Sequence, residues 1–417
     1  MDIFAKFQQD GGPIGQYKEQ AHEYFAFPKL EGEISNRMKF RGKEKIVWSL
    51  NNYLGLANHP EVRKADAEAA AQWGMAYPMG ARMMSGNTKY HDQLEREFAE
   101  FIGKEDVMLL NYGYQGMASA IDALLSRHDV VVYDAESHAC IIDGLRMHMG
   151  KRFKFNHNDV EDCAKQLERA SKLVEGTPGG ILVITEGVFG MNGNQGRIAD
   201  IIELKKQYEF RLFVDDAHGF GTMGEKGAGI GEEQHCTDGI DLYFSTFAKS
   251  LAGIGGFIGG NKDIIYYLRY NMRSQIFAKS LPMVMVMGGL KRMELIRTRP
   301  ELKARLWENV HKLQNGLRER GFNIGTTNTP VTPVYMESGV TDATQLVVDL
   351  RENYHIFCSM VMYPVIPKGQ LILRLIPTAV HTDQDIEETL EAFSAVREKL
   401  EKQLYPKEIP QVSAVLS

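Results

Sequence analysis

The segments GILVITEG at residues 180–187, IADIIELKKQYE at 198–209 and RLFVDDA at 211–217 decide the fold. The first and third are continuous apolar runs with acids near their ends, and the middle one has apolar residues at helical spacing. Apolar strands that alternate with helices form parallel sheets buried on both faces. The stretch therefore predicts a parallel sheet covered by helices.

The same alternation extends in both directions. Strands are predicted for DVMLL (106–110), DVVVYD (129–134) and DLYFSTF (241–247), and helices for PEVRKADAEAAAQWG (60–74), KYHDQLEREFAEFIG (89–103) and VEDCAKQLERASKLV (160–174). Residues 283–320 look helical, and a tail follows with strands at VTPVYM and LILRLI and a final helix, DQDIEETLEAFSAVREKLEKQL. We predict an N-terminal arm over 1–48 (a loop at KFQQDGGPIG and a short helix at EQAHEYF), a large domain over 49–290 and a small α/β domain over 291–417.

The composition narrows the classes of function. The 417 residues carry 48 basic and 54 acidic side chains, a net charge of −6, which argues against a nucleic-acid partner. The cysteines, Cys140, Cys163, Cys236 and Cys358, lack CxxC spacing, which is typical of a reduced cytoplasmic protein. We expect no signal peptide and no membrane span, because no apolar run is long enough. Peripheral membrane contact stays open, since the substrate considered below can be a lipid.

Residues at the carboxyl ends of the strands are the candidate site, because ligands of such sheets bind there. NYGYQGMAS (111–119) enters a helix, whose first N–H groups suit an anion. Later strand ends carry His138 in DAESHAC, Glu186 in TEGVFGMNG, and Asp215, Asp216 and His218 in VDDAHGFG. A lone histidine is more often structural, and a buried acid needs a cationic partner. The fifth end carries Lys249 in STFAKSLAGIGGFIGG (245–260), where small neighbours leave room around the amine.

These residue types suit pyridoxal 5′-phosphate (PLP). PLP needs a lysine for a Schiff base, a carboxylate that keeps its ring nitrogen protonated, and a helix N-terminus for its phosphate. Lys249 and Asp215 supply the first two, and metal-binding spacings such as HExxH are absent. A nucleotide-binding loop at GIGGFIGG is disfavoured, because that segment follows the lysine instead of a first strand.

Six motifs in order resemble the α-oxoamine synthase branch of the fold-type I, class II PLP enzymes. They are SLNNYLGLANHPEV (49–62), DAESHACIIDG (134–144), EGVFGMNG (186–193), VDDAHGFGTMGEKGAG (214–229), TFAKSLAGIGG (246–256) and YPVIPKGQLILRLIPTAVHT (363–382). The resemblance implies a fold-type I PLP-dependent transferase, with a mostly parallel central sheet, helices on both faces and a smaller C-terminal α/β domain. It implies an enzyme that condenses an amino acid with an acyl-CoA or acyl-ACP thioester, as a homodimer with shared active sites.

The resemblance also implies residue roles. Lys249 would form the Schiff base and act as acid and base, and Asp215 would pair with the ring nitrogen. His138 would stack on the ring, and His218 would hydrogen-bond the ring hydroxyl. The remaining implied residues are Glu186, Gly113, Tyr114 and Thr246 for the cofactor, and Asn52, Arg374, Lys279 and Arg82 for the substrates. A guanidinium such as that of Arg374 binds a carboxylate through two parallel hydrogen bonds.

Four positions depart from the family pattern. Gly190 and Ala248 stand where many members have serine, and Ala278 and Lys279 replace a usual Ser-Thr or Ser-Asn pair. In the family's dimers, this last loop reaches the partner's cofactor phosphate. Lys279 therefore binds that phosphate, meets an extra anion on the substrate, or is a solvated loop lysine.

Different motifs indicate different substrates. NNYLGLANHP and YPVIPKGQ resemble glycine C-acetyltransferases, whereas HNDVEDCAKQLERA (157–170) and GFIGG resemble bacterial serine palmitoyltransferases. Methionines in YPMGARMMSG and LPMVMVMGG suit either a long acyl chain or an ordinary core. We favour synthesis of a sphingolipid or sulfonolipid base from serine or cysteate, with glycine C-acetyltransferase as the alternative. The presence of Lys249 and Asp215 argues against a catalytically inactive partner subunit.

Overall fold

The segments that decide the fold form a strand, a helix and a parallel strand, as predicted. In the computed structural model, Ile181–Glu186 pairs in parallel with Arg211–Asp215, in a register that runs from Leu182 opposite Arg211 to Glu186 opposite Asp215. The connecting helix is shorter than predicted, since Ile198–Glu203 is α-helical and a 3-10 turn follows.

The structure describes residues 2–5, 7, 12–15, 21–337 and 339–407. These residues divide into two units. The first unit contains the described residues up to Leu50, Met191–Gly193 and those from Arg305 onward, and the second contains Asn51–Gly190 and Asn194–Ala304. The domain boundaries predicted from the sequence, after 48 and after 290, stay a prediction.

The secondary structure follows in chain order. The strands are β1 (Leu30–Glu31), β2 (Arg37–Phe40), β3 (Lys43–Val47), β4 (Asp106–Leu110), β5 (Val130–Asp134), β6 (Lys151–Phe155), β7 (Ile181–Glu186), β8 (Arg211–Asp215), β9 (Leu242–Thr246), β10 (Gly256–Gly260), β11 (Thr332–Tyr335), β12 (Ile356–Phe357), β13 (Ser359–Met362) and β14 (Leu371–Leu375). The α-helices are Gly12–Gly15, Pro60–Trp73, Lys89–Ile102, Gly113–Leu124, Ala139–Met147, Val160–Val174, Ile198–Glu203, Ile230–Glu233, Lys262–Asn271, Arg273–Ile276, Met283–Thr298, Pro300–Glu319, Gly339–Glu352 and Asp383–Glu401.

One mostly parallel sheet forms the centre of the second unit, which confirms the prediction. Its strand order is β4-β10-β9-β8-β7-β5-β6, and β10 alone runs antiparallel to its neighbours β4 and β9. The segment GFIGG is therefore a strand and not a nucleotide-binding turn. Strand β6 was not predicted either, because KRFKF is an edge strand with mostly exposed, charged side chains.

The core of the second unit lies between this sheet and its helices. Apolar side chains of β4, β5, β7, β8, β9 and β10 pack with those of Gly113–Leu124, Ala139–Met147 and Lys262–Asn271. Burial on this scale holds the strands, and with them the strand ends, in fixed positions.

The first unit contains two smaller sheets, ordered β1-β2-β3-β12 and β11-β14-β13. The strands predicted at VTPVYM and LILRLI and the final helix are found, as β11, β14 and Asp383–Glu401. In the arm, Gly12–Gly15 is helical, so the loop prediction is wrong there, and β1 to β3 were not predicted. Part of the loop and the start of the predicted helix at EQAHEYF lie outside the described residues. In the described remainder, residues 22–25 form an isolated bridge and a turn, so the helix prediction is wrong there.

A buried stack of Trp48 and His381 fixes strand β14 in the first unit. The two rings lie 3.9 Å apart at 2°, and the Trp48 carbonyl accepts a hydrogen bond from the Ile376 amide at 2.8 Å. His381 Nδ1 accepts from the Thr378 amide at 3.1 Å, while Nε2 lies 3.2 Å from the Val47 carbonyl. This bonding pattern requires a neutral imidazole.

We predict that His381 makes the protein less stable in acid. Burial lowers the pKa of His381 to about 4, so the unfolded chain, with a pKa of about 6.5, binds the proton first as the pH falls. The free energy of unfolding should therefore drop below pH ~6.5, with a contribution of about 2 kcal/mol at pH ~5. The difference between the urea midpoints at pH ~6.5 and at pH ~5 should be smaller for His381→Gln than for the wild type. His128→Gln, at an exposed position, is the control, and an unchanged difference in His381→Gln would contradict the assignment.

Candidate active site

Parallel pairing brings four strand ends to one edge of the sheet. Strands β5, β7, β8 and β9 end at Asp134, Glu186, Asp215 and Thr246. Glu186 lies opposite Asp215, and Asp215 lies opposite Phe244 on the next strand. Lys249 follows in the turn after β9 and is half-buried. The sequence prediction that these groups share one edge is therefore correct.

Asp215 is a buried carboxyl in the field of two potential cations. Its Oδ1 accepts a hydrogen bond from the Ala217 amide at 3.1 Å, and Cys140 Sγ lies 3.8 Å from its Oδ2. Burial raises the pKa of Asp215, while the charge of Lys249, and that of His138 when it is protonated, act in the opposite direction. A further cation beside this carboxyl would favour its ionised form.

Glu186 is the second buried carboxyl at this edge. Burial and the charge of Asp215 hold its pKa well above the usual range, against the hydrogen bond from the His138 amide and the charge of Lys249. That amide lies 2.5 Å from Glu186 Oε1. Two adjacent buried carboxyls do not both ionise, so Glu186, whose pKa is held well above its usual range, keeps its proton. Asp215 is then the carboxyl that a neighbouring cation can ionise.

His138 begins the helix Ala139–Met147 as its N-cap. Its Nδ1 accepts from the Cys140 amide at 3.3 Å and lies 2.9 Å from the Cys140 thiol. Burial lowers the pKa of His138, against the charge of Asp215 and together with that of Lys249. The ring is therefore a neutral imidazole. It lies edge-on to the ring of Tyr114, with the two ring centroids 6.0 Å apart.

The N-terminus of the helix Gly113–Leu124 forms a cradle beside Thr246. A Cβ on Gly113 would lie 2.7 Å from Thr246 Oγ1, so only glycine lets the backbone approach this hydroxyl. The N-cap, Tyr112, makes no side-chain capping bond, and Tyr114 donates its hydroxyl to Asp143. First-turn N–H groups next to a hydroxyl suit a phosphate.

The imidazole of His218 contacts the side chain of Tyr53, the residue that follows Asn52 in the sequence. Tyr53 Oη is 2.7 Å from His218 Nδ1, and both side chains are buried. Asn52 Oδ1 accepts from the Ala57 amide at 3.1 Å. Sequence reasoning missed Tyr53 and Cys140, although both lie inside quoted motifs, next to Asn52 and two residues after His138.

Lys279 lies on a segment that contacts the entrance to the cradle helix. Its carbonyl accepts from the Asn111 side chain, and the Ser280 amide donates to the Gly80 carbonyl at 2.9 Å. Residue 279 is exposed. The backbone thus places this residue close to the predicted phosphate cradle.

The remaining two predicted substrate residues are Arg82 and Arg374. Arg82 pairs with the buried carboxylate of Glu95, at 2.7 and 3.1 Å, and its Nε donates to Asn87 at 2.6 Å. Arg374 lies in the first unit on β14, between Pro333 of β11 and Ser359 of β13. Substrate binding by both residues stays a prediction.

Asp216 is a buried carboxyl with structural partners. Its Oδ2 accepts from the Ile230 amide at 2.7 Å and from the Tyr243 hydroxyl at 2.9 Å. Burial raises its pKa to about 7, against these hydrogen bonds. A Cβ on Gly187 or Gly219 would lie within 2.1 Å of its Oδ1, so small residues enclose it.

The residues at this edge fit PLP. The glycine-lined cradle suits a phosphate, the buried Asp215 suits a protonated ring nitrogen, and Lys249 supplies the amine. No cluster of His, Cys, Asp and Glu suited to a metal ion occurs among the residues described. Within that same part of the chain, none of the helices is both long and apolar enough to cross a membrane.

Comparisons with known proteins agree with this chemistry. A model of the family described as aminotransferase class I and II matches residues 43–393. The chain is 61% identical over 404 residues to a cysteate-C-fatty acyltransferase of Capnocytophaga ochracea. The matched region covers 97% of this chain and 96% of that protein. It is 32% identical over 378 residues to a serine palmitoyltransferase of Sphingobacterium spiritivorum, with 91% and 93% covered. A solved serine palmitoyltransferase from S. paucimobilis with a bound PLP–myriocin aldimine has a TM-score of 0.87 at 29% identity, with 95% of this chain and 98% of that chain covered.

We predict that Asp215→Asn weakens PLP binding by about 100-fold or more, since it removes one partner of a buried charge pair. The neighbouring Asp216→Asn is the matched control, because Asp216 has structural partners and a pKa raised to about 7. The dissociation constant of PLP, measured by absorbance on ligand-free protein, separates the two. Equal losses in both variants, or a loss in Asp216→Asn alone, would refute the assignment of Asp215.

Proposed function

Because the chain belongs to the class I and II aminotransferase family, as a fold-type I PLP enzyme of the α-oxoamine synthase branch, we propose that it condenses L-cysteate with a long-chain acyl thioester. A bond forms between the amino-acid Cα and the acyl carbon, the thiol leaves, and the Cα–carboxylate bond breaks with release of CO2. The product is an α-amino ketone that keeps the sulfonate, the base of a sulfonolipid. L-Serine in place of L-cysteate would give a sphingolipid base.

The observation that carries this proposal is the meeting of one amine and one ionisable buried carboxyl at the same sheet edge. Lys249 and Asp215 interact electrostatically, and Glu186, which keeps its proton, adds no second negative charge. The 61% identity to a cysteate-C-fatty acyltransferase supports the choice of amino acid.

Each residue of the edge has a defined task in the proposal. Bound PLP would supply an electron sink for a carbanion at the amino-acid Cα. Lys249 would hold the cofactor covalently through Nζ and afterwards carry the Cα proton. Asp215 would keep a proton on the ring nitrogen, and the neutral imidazole of His138 would stack on the ring. Gly113, Tyr114 and Thr246 would bind the phosphate.

The second anion of L-cysteate calls for a second cation. Arg374, on β14 of the first unit, is the guanidinium that the resemblance assigns to the amino-acid carboxylate. Lys279 is exposed beside the cradle helix, and its ammonium would attract either the sulfonate or a phosphate. Asn52 would add an amide to the amino-acid site.

The proposal extends to partners and compartment. We expect a cytoplasmic homodimer with shared active sites. Large apolar side chains are exposed around the segments that hold Gly80 and Lys279, and burying them against a second copy or an acyl chain would be favourable. These side chains are Met75, Tyr77, Met79, Met83, Met84, Tyr270 and Phe277. Peripheral contact with a membrane would bring the same surface to a lipid substrate.

Titration of the PLP-loaded protein with amino acids tests the proposed function. L-Cysteate should change the visible absorbance band in a saturable way, since the amino acid displaces Lys249 from the cofactor. Glycine and L-alanine should change it little, and L-serine should act only at higher concentration. Lys249→Ala should stay folded and should lose all turnover with L-cysteate and acyl-CoA.

The other results each have a definite meaning. A saturable change with L-serine alone would make the product a sphingolipid base. A change with glycine alone would overturn the proposal in favour of a glycine C-acetyltransferase. No visible band after addition of PLP, or wild-type turnover by Lys249→Ala, would refute the cofactor chemistry itself.

A further inference from the structure

Two residues of the second unit lie against the imidazole of His218, and a third holds its backbone. Tyr53 is fully buried, and its hydroxyl lies 2.7 Å from His218 Nδ1. The His218 carbonyl accepts a hydrogen bond from Thr222 Oγ1 at 2.7 Å. One nitrogen of the ring is thus held by Tyr53, and the backbone of His218 is held by Thr222.

Gly190 lies directly under the opposite nitrogen of this ring. A Cβ added at residue 190 would lie 2.2 Å from His218 Nε2, 2.8 Å from Cδ2 and 3.0 Å from Cε1. Contacts that short force a neighbour to move. Because the backbone of His218 is bonded to Thr222, the ring would have to rotate and would break its bond to Tyr53.

We propose that Tyr53 is a positioning residue that locks the imidazole of His218 over Gly190, and that glycine is required at 190 for this placement. A hydroxyl that donates to Nδ1 leaves the ring proton on Nε2, so Nε2 becomes a hydrogen-bond donor of fixed direction. The placement itself follows from the protein alone. Its use rests on the proposed function, together with the role that the resemblance implies for His218, a hydrogen bond to the ring hydroxyl of PLP.

This lock gives a physical reason for the departure at residue 190. A serine at this position, as in the family pattern that the sequence resembles, would place its Cβ against the imidazole. In this chain, the imidazole fills the space that such a side chain would need. Gly190 and Tyr53 together therefore fix the position of the His218 imidazole.

Variants of the ligand-free protein test the lock without the cofactor. Tyr53→Phe and Gly190→Ala should each lower the urea midpoint of unfolding in the wild-type background, because each disturbs the held imidazole. In a His218→Ala background, both effects should largely vanish, since contacting residues are not additive. Tyr405→Phe, which loses a buried hydroxyl bond to Asp349, and Gly180→Ala, where the nearest neighbour of a Cβ is 3.9 Å away, should shift the midpoint equally in both backgrounds.

PLP binding then tests the use of the lock. Gly190→Ala and Tyr53→Phe should weaken PLP binding by roughly tenfold, since each leaves a hydrogen bond unmade, and should shift the visible absorbance maximum. Neither should matter further once His218 is alanine, and Gly180→Ala should match the wild type. Equal effects of Gly190→Ala with and without His218, on the midpoint and on binding, would overturn the inference. A wild type that binds no PLP would refute the proposed function, while the midpoints would still decide the lock.

Discussion

Parallel pairing of β7, β8 and β9 is the constraint on which the candidate site depends. It places Glu186 and Asp215 side by side at one buried edge and puts Lys249 in the turn that follows the next strand. Two carboxyls in this position compete for one negative charge, because burial raises the pKa of both. Glu186 resolves the competition by keeping its proton and accepting the His138 amide. Asp215 is then the carboxylate that a cationic ligand ionises.

Small residues set the remaining geometry of the site by leaving space. Gly113 lets a helix N-terminus reach Thr246, and Gly190 lets the His218 ring lie against the backbone. Both positions would be filled by a single methyl group. The site therefore depends on glycines at these positions as well as on its polar side chains. Tyr53 holds the His218 ring in the space beside Gly190.

Much of this arrangement follows from the sequence, because continuous apolar strands with polar ends identify a buried parallel sheet and its ligand edge. The ends of β5, β7, β8 and β9 were predicted in this way. Strand β10 was not, since its three glycines carry no strand propensity and its pairing with β4 and β9 is a tertiary effect. The contacts of Tyr53 and Cys140 were missed for a similar reason: they depend on residues distant in sequence or on side-chain direction. Residue spacing also could not show that Arg82 pairs with Glu95.

The most direct test of the central claim is product analysis with L-cysteate that carries 13C in its carboxyl group, together with palmitoyl-CoA. Mass spectrometry of the products follows the label and the new carbon–carbon bond. The account predicts labelled CO2, free CoA and an unlabelled amino ketone that retains the sulfonate and the acyl chain. A product that retains the label, a keto acid formed by amino transfer, or CoA release without a condensed product would contradict it.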